Sequence, residues 1–100
     1  MAGVTNIGSD LTSKFWSGQK TIGLSAIAII GQPLIYSKGI QLKSDKNNTG
    51  VIYISKSNGV TTLNGFALYP GDGIFIPIEN SAFLFAISDT AGQLLYWLAA

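Results

Sequence analysis

Along this chain the apolar and polar positions alternate or cluster in short runs, and neither pattern has a helical period. Ile40 and Leu42 fall on one side of an extended segment and Gln41 and Lys43 on the other, which is the period of two expected of a half-buried strand. Thr21 to Ile30 is rich in β-branched residues, and Val51 to Ser55 continues the same texture. Each stretch ends in turn chemistry: Gly31-Gln32-Pro33, then Asp45-Lys46-Asn47-Asn48-Thr49-Gly50, then Asn58-Gly59, the strongest short hairpin signal present. The second half repeats the rhythm. Strands are expected at Val60 to Thr62, Phe66 to Leu68, Ile74 to Ile78, Phe83 to Ile87 and Gln93 to Ala99, separated by turns at Asn64-Gly65, Pro70 to Gly73, Glu79-Asn80 and Asp89 to Gly92. This spacing predicts an all-β domain over residues 20–100, a single antiparallel β-sandwich or jelly-roll-like barrel.

Residues 1–19 differ, being rich in Gly, Ser, Thr and Asn. They read as an N-terminal arm, either extended and tied down or an unstructured terminus. Phe15 and Trp16 favour the tied-down form, since adjacent aromatics are costly to leave in water.

Two expected strands break the alternation. Phe83-Leu84-Phe85-Ala86-Ile87 and Leu94-Leu95-Tyr96-Trp97-Leu98 are apolar on both faces, and a sheet strand with one face in water would not be. Something must cover the second face: the opposite sheet with the arm, or another subunit. Pro77 has no N–H for a ladder, so its strand is expected to lie at a sheet edge or to end there. The candidate residues for an interface with copies of this chain or with a partner protein are Phe15, Trp16, Tyr53, Phe75, Phe83, Phe85 and Trp97.

Charge sharpens this picture. Only 11% of the 100 residues are charged, against roughly 25% in an ordinary soluble domain, while 47% are hydrophobic. So thin a charge coat implies a surface covered in part by partners or by copies of the same chain. Six lysines, no arginine and five acids give a net charge of +1, far from the basic excess a nucleic-acid partner requires. The N-terminal stretch has neither the basic start nor the apolar run of a signal peptide, and Ile27 to Ile30 is too short to cross a bilayer. The expectation is a protein made in the cytoplasm, with no membrane partner.

Candidate chemistry is sparse. Histidine and cysteine are both absent, which removes the commonest general base, the thiolate nucleophile and the commonest metal ligands. The serines therefore lack an activating histidine, and no Gly-x-Ser-x-Gly elbow occurs. Asp72 and Glu79 bracket one expected strand, which holds them about 20 Å apart, too far for paired acid and base work. The Asp45 to Gly50 loop is oxygen-rich but lacks the spaced carboxylates and closing Glu of a calcium loop. Asn47-Asn48-Thr49 matches a glycosylation sequon that carries meaning only in a secreted chain. Gly71 and Gly73 flank Asp72 without the strand–loop–helix context of a phosphate loop. The expectation is a non-enzyme with no cofactor, no metal and no small-molecule substrate. The aromatics Tyr53, Phe75, Phe83, Phe85, Tyr96 and Trp97 admit one alternative, a sugar-stacking platform.

Three stretches carry a family resemblance. Asn48-Thr49-Gly50-Val51-Ile52-Tyr53-Ile54, then Gly65 to Ile78 with its Leu68-Tyr69-Pro70-Gly71 turn and Ile76-Pro77 strand end, then Ala91-Gly92-Gln93 followed by Trp97-Leu98, resemble small virion proteins of tailed phages over residues 38–100. The resemblance implies a β-sandwich that forms trimers or other symmetric oligomers on the particle. It points to a capsid cement or decoration protein whose partners are the major capsid protein and copies of itself, located on the capsid surface of the virion. A tail, adaptor or fibre-base subunit is the alternative within that class, and a carbohydrate-binding module for host attachment the alternative outside it. Residues 1–19 do not match the pattern, and the family supplies no catalytic residues.

Overall fold

A computed structural model describes residues 16–30, 38–78 and 84–100. Eight strands build two four-stranded antiparallel sheets packed as a sandwich, with no helix among the described residues. The strands are β1 (Trp16–Ile22), β2 (Ile27–Ala28), β3 (Ile40–Ser44), β4 (Ile52–Ser55), β5 (Phe66–Leu68), β6 (Gly73–Ile76), β7 (Phe85–Ser88) and β8 (Gln93–Ala99). The first sheet has the order β1-β8-β3-β6 and the second β2-β7-β4-β5.

Alternation decides which side chains meet between the sheets. Ile22, Ile40, Leu42, Leu95 and Ala99 point inward from the first sheet, and Ile52, Ile54, Leu68 and Ala86 from the second. Ile29, Ile30 and Leu84 complete the core beside them. Each fully buried Ile or Leu contributes about 1.5–3 kcal/mol by leaving water, which makes this layer the main stabilising element.

The expected strands around residues 40, 52, 66, 74 and 93 form with boundaries near those read from the pattern. Two regions differ. The first strand, expected over Thr21 to Ile30, runs instead from Trp16 to Ile22, so four residues expected in the arm, 16–19, belong to the sheet. Gly23 to Ala26 then carries the chain across to the short β2 in the other sheet. The strand expected at Val60 to Thr62 is absent. Residues 56–65 instead make two successive turns, closed by Val60 N–H to the Ser57 carbonyl (3.2 Å) and Gly65 N–H to the Thr61 carbonyl (3.2 Å). Val60 is buried beneath them while Leu63 projects 96% exposed. Pro77 follows β6 directly, and β6 is an edge strand, as expected.

β1 is the other edge of the first sheet, and its inward positions are Trp16, Gly18, Lys20 and Ile22. Gly18 pairs with Trp97 of β8, and a Cβ at residue 18 would lie 2.7 Å from indole Cζ2 and 2.9 Å from Cε2. The Trp97 ring therefore occupies the space a side chain would take. Gly18→Ala should push the indole out of its site, lower stability by about 1–3 kcal/mol in urea titration, and shift tryptophan emission. Trp97→Leu should remove most of that penalty in the double variant.

Candidate functional site

The three stretches that carried the family resemblance meet at one end of the sandwich. Here the β3–β4, β5–β6 and β7–β8 loops all cross between the sheets, so their backbone groups have no ladder to join and need other partners. Gln93, buried at the start of β8, supplies several of them. Its Oε1 accepts from Thr49 N–H and Gly50 N–H, both at 2.8 Å, and its Nε2 donates to Thr49 Oγ1 (3.2 Å) and the Ala91 carbonyl (3.1 Å). Asn48 returns the exchange. It accepts from Leu94 N–H (2.8 Å) and donates to the Leu94 carbonyl (2.9 Å) and Ser44 Oγ (2.8 Å), so one side chain extends the β8 ladder by a residue. Gly50 has no room for a Cβ against Thr90 and Asp89.

The remaining loop residues close the same end. Ser88 Oγ donates to the Val51 carbonyl (2.8 Å) and accepts from Thr90 N–H (3.1 Å). Asp89 Oδ1 accepts from Val51 N–H (2.9 Å), and Asp72 Oδ2 from Tyr69 N–H (3.0 Å). The Asp72 carbonyl and Gly71 N–H pair with Ser44, at 2.9 and 3.1 Å. Asp72 and Asp89 thus serve as turn caps, and Asp45 holds Asn47 N–H in a longer contact of 3.4 Å. Among the described residues, no group of three or more potential metal-ligating side chains forms. Glu79, weighed with Asp72 as a carboxylate pair and set aside, lies outside the described residues.

The two outward sheet faces differ in chemistry. On the second sheet, alternation and register turn Ala28, Phe85 and Ser55 outward in one row and Ile87, Tyr53 and Ala67 in the next. All six are half-buried and none is charged. On the first sheet, the rows are Ser17–Leu98–Gln41–Phe75 and Gln19–Tyr96–Lys43. Leu98 (42%), Tyr96 (37%) and Phe75 (52%) are exposed there among polar neighbours. Along the β5–β6 side, Ile54, Phe66, Ile74, Ile76, Ile78 and Leu84 line an apolar cleft of about 390 Å³.

The residues singled out in the sequence therefore separate. Tyr53 and Phe85 share the outward face of the second sheet, Phe75 stands on that of the first, and Trp16 and Trp97 pack against the core. Phe15 and Phe83 lie outside the described residues. Sequence reasoning missed Ile87 and Ala67, which complete the apolar face, and Gln19, Gln41 and Lys43, which surround Tyr96. Their signal was strand parity, which the pattern shows directly for Gln41 and Lys43 and which for Gln19 is readable only once the start of β1 is placed. No family model, no curated protein and no solved structure matches this chain.

Two measurements follow from this geometry. Gln93→Leu should lower unfolding stability by about 2–4 kcal/mol, because it strands the buried N–H of Gly50 and the part-buried N–H of Thr49, and it should do so with the strands intact by circular dichroism. The Tyr53 phenol sits above its ordinary value of 10.0, first because partial burial disfavours the phenolate, then because Asp89 and Tyr69 repel it. A folded-state value raised above the unfolded one gives stability that is whole below the unfolded value and is lost as pH rises through the folded one. Asp89→Asn keeps the turn-capping oxygen and removes the charge, so the phenolate absorbance of Tyr53 should appear at lower pH in that variant.

Proposed function

We propose that this chain is a structural protein of a tailed-phage particle, a non-catalytic capsid cement or decoration protein that binds the major capsid protein and further copies of itself. The observation that carries the reading is the uncharged, apolar outward face of the second sheet. Half of a sandwich normally turns polar side chains to water; here Tyr53, Phe85, Ile87, Ala67 and Ala28 take those places. The thin charge coat and the likeness of residues 38–100 to small virion proteins support the same conclusion.

The mechanism is one of packing and number. A stable contact needs about 800 Å² from each partner, and a sheet face together with the neighbouring apolar cleft offers surface of the right character. A symmetric oligomer, a trimer on the likeness to virion proteins, would touch several capsid subunits at once. Weak individual contacts then add through high effective concentration, and the shell gains resistance to heat and to low salt. The clamped loop end keeps the module rigid, so little ordering entropy is lost on binding. The turn-capping roles of Asp72 and Asp89 support a module without catalysis.

Light scattering on the purified chain should show an oligomer at micromolar concentration, and Ile87→Lys should return it to monomer with the fold retained. A monomeric parent protein would remove the basis for the reading. Particles lacking the protein should assemble complete heads and tails but fail at lower temperature; headless or tailless particles would place it in a tail, adaptor or fibre base instead.

A further inference from the structure

We infer that the outward face of the first sheet is a carbohydrate-binding site, centred on Tyr96 and bordered by Ser17, Gln19, Gln41 and Lys43. The inference is independent of where the protein resides, because it rests on a different face from the one assigned to packing.

Register builds the site. Gln19, Tyr96 and Lys43 lie side by side across β1, β8 and β3, and Ser17, Leu98 and Gln41 form the adjacent row. Neighbouring strands stand about 4.8 Å apart and alternate residues about 6.6 Å apart along a strand, so a ring-sized ligand over Tyr96 is within reach of polar groups on both sides. These residues line an open groove of about 600 Å³, within the range of small-ligand sites.

The chemistry selects the ligand class. Two carboxamides and a hydroxyl offer donors and acceptors together, Lys43 adds one cationic donor, and the part-exposed Tyr96 ring, with Trp97 beside it in the lining, adds aromatic surface. A sugar hydroxyl both donates and accepts, and the C–H face of a pyranose stacks on an aromatic ring. One lysine is too little charge to hold a polyanion, and the groove has no acid to hold a cation or a basic peptide. The polar groups are also uncommitted. Among the described residues no hydrogen bond ties the side chains of Ser17, Gln19 or Lys43, and Gln41 makes only a long 3.5 Å contact with the Leu42 carbonyl. The contrast with the other end is plain, where Asn48 and Gln93 use both ends of their amides. Gly18 and Trp97 also line the groove, the indole filling the space over Gly18.

The test uses the full chain and four uncharged probes, dextran, laminarin, yeast mannan and a neutral bacterial O-antigen polysaccharide, in affinity electrophoresis and in amide-shift mapping by nuclear magnetic resonance. At least one probe should retard the protein and move the amides of residues 17–19, 41–43 and 94–98. Tyr96→Ala should weaken that binding by about tenfold and Gln19→Ala should weaken it measurably, while Leu63→Ser, on the far loop, should leave it unchanged. Thermal melts of each variant separate lost binding from lost folding. The inference is overturned if no probe binds, if binding survives Tyr96→Ala in a folded variant, or if Tyr96→Ala leaves sugar binding alone and instead changes the oligomer size, which would make this face a contact between protein chains. None of these outcomes bears on the particle location, which imaging of the virion decides separately.

Discussion

Everything in this molecule depends on keeping two sheets joined by a chain that keeps changing sheet. Among the eight strands, only β4 and β5 are both consecutive in the chain and neighbours in a sheet. The core can form only when segments far apart in sequence arrive together, and hydrophobic burial alone does not fix how the crossing loops thread. The carboxamide of Gln93 settles that threading. By holding Thr49 and Gly50 while Asn48 holds Leu94, it ties the β3–β4 crossing to the β7–β8 crossing across more than forty residues of chain. A leucine there would bury just as well and specify nothing.

With one end closed, the sheets become rigid platforms whose outward faces are free to differ. The second sheet turns out alanine, isoleucine and aromatic rings; the first turns out amides, a hydroxyl, a lysine and a tyrosine. Both faces come from the same strand parity, and β8 contributes to the core with Leu95 and Ala99 while presenting Tyr96 and Leu98 outward. A thin sandwich can in this way carry one dry surface and one wet one without any dedicated binding loop.

Much of the fold was legible because burial follows parity. Ile40 and Leu42 against Gln41 and Lys43 marked β3 directly, and Pro77 marked its strand as an edge. β1 escaped because its inward positions are Trp, Gly, Lys and Ile, and Ser17 and Gln19 between them make the stretch look like a polar arm. Asn58-Gly59 suggested a tight hairpin, yet Val60 is drawn down into the protein and the chain needs two turns before β5 can begin. Trp97 looked like a surface aromatic; only the pairing with Gly18 reveals the space that receives it. The motif residues Asn48, Gly50 and Gln93 were visible as punctuation, but their mutual bonds span two distant blocks and no local pattern encodes them.

The lysine on the inward side of β1 has a consequence for how such a protein can be made in quantity. A seven-residue edge strand without proline is a template for adding another strand, a hazard that grows with the number of copies held in a small volume. Lys20 faces Leu95 across the ladder, where a second molecule extending the sheet would have to bury its ammonium group with no carboxylate in reach on that row. Growth strand by strand into insoluble ribbons is thereby disfavoured, and association is directed toward the sheet faces, where it can close into a finite assembly.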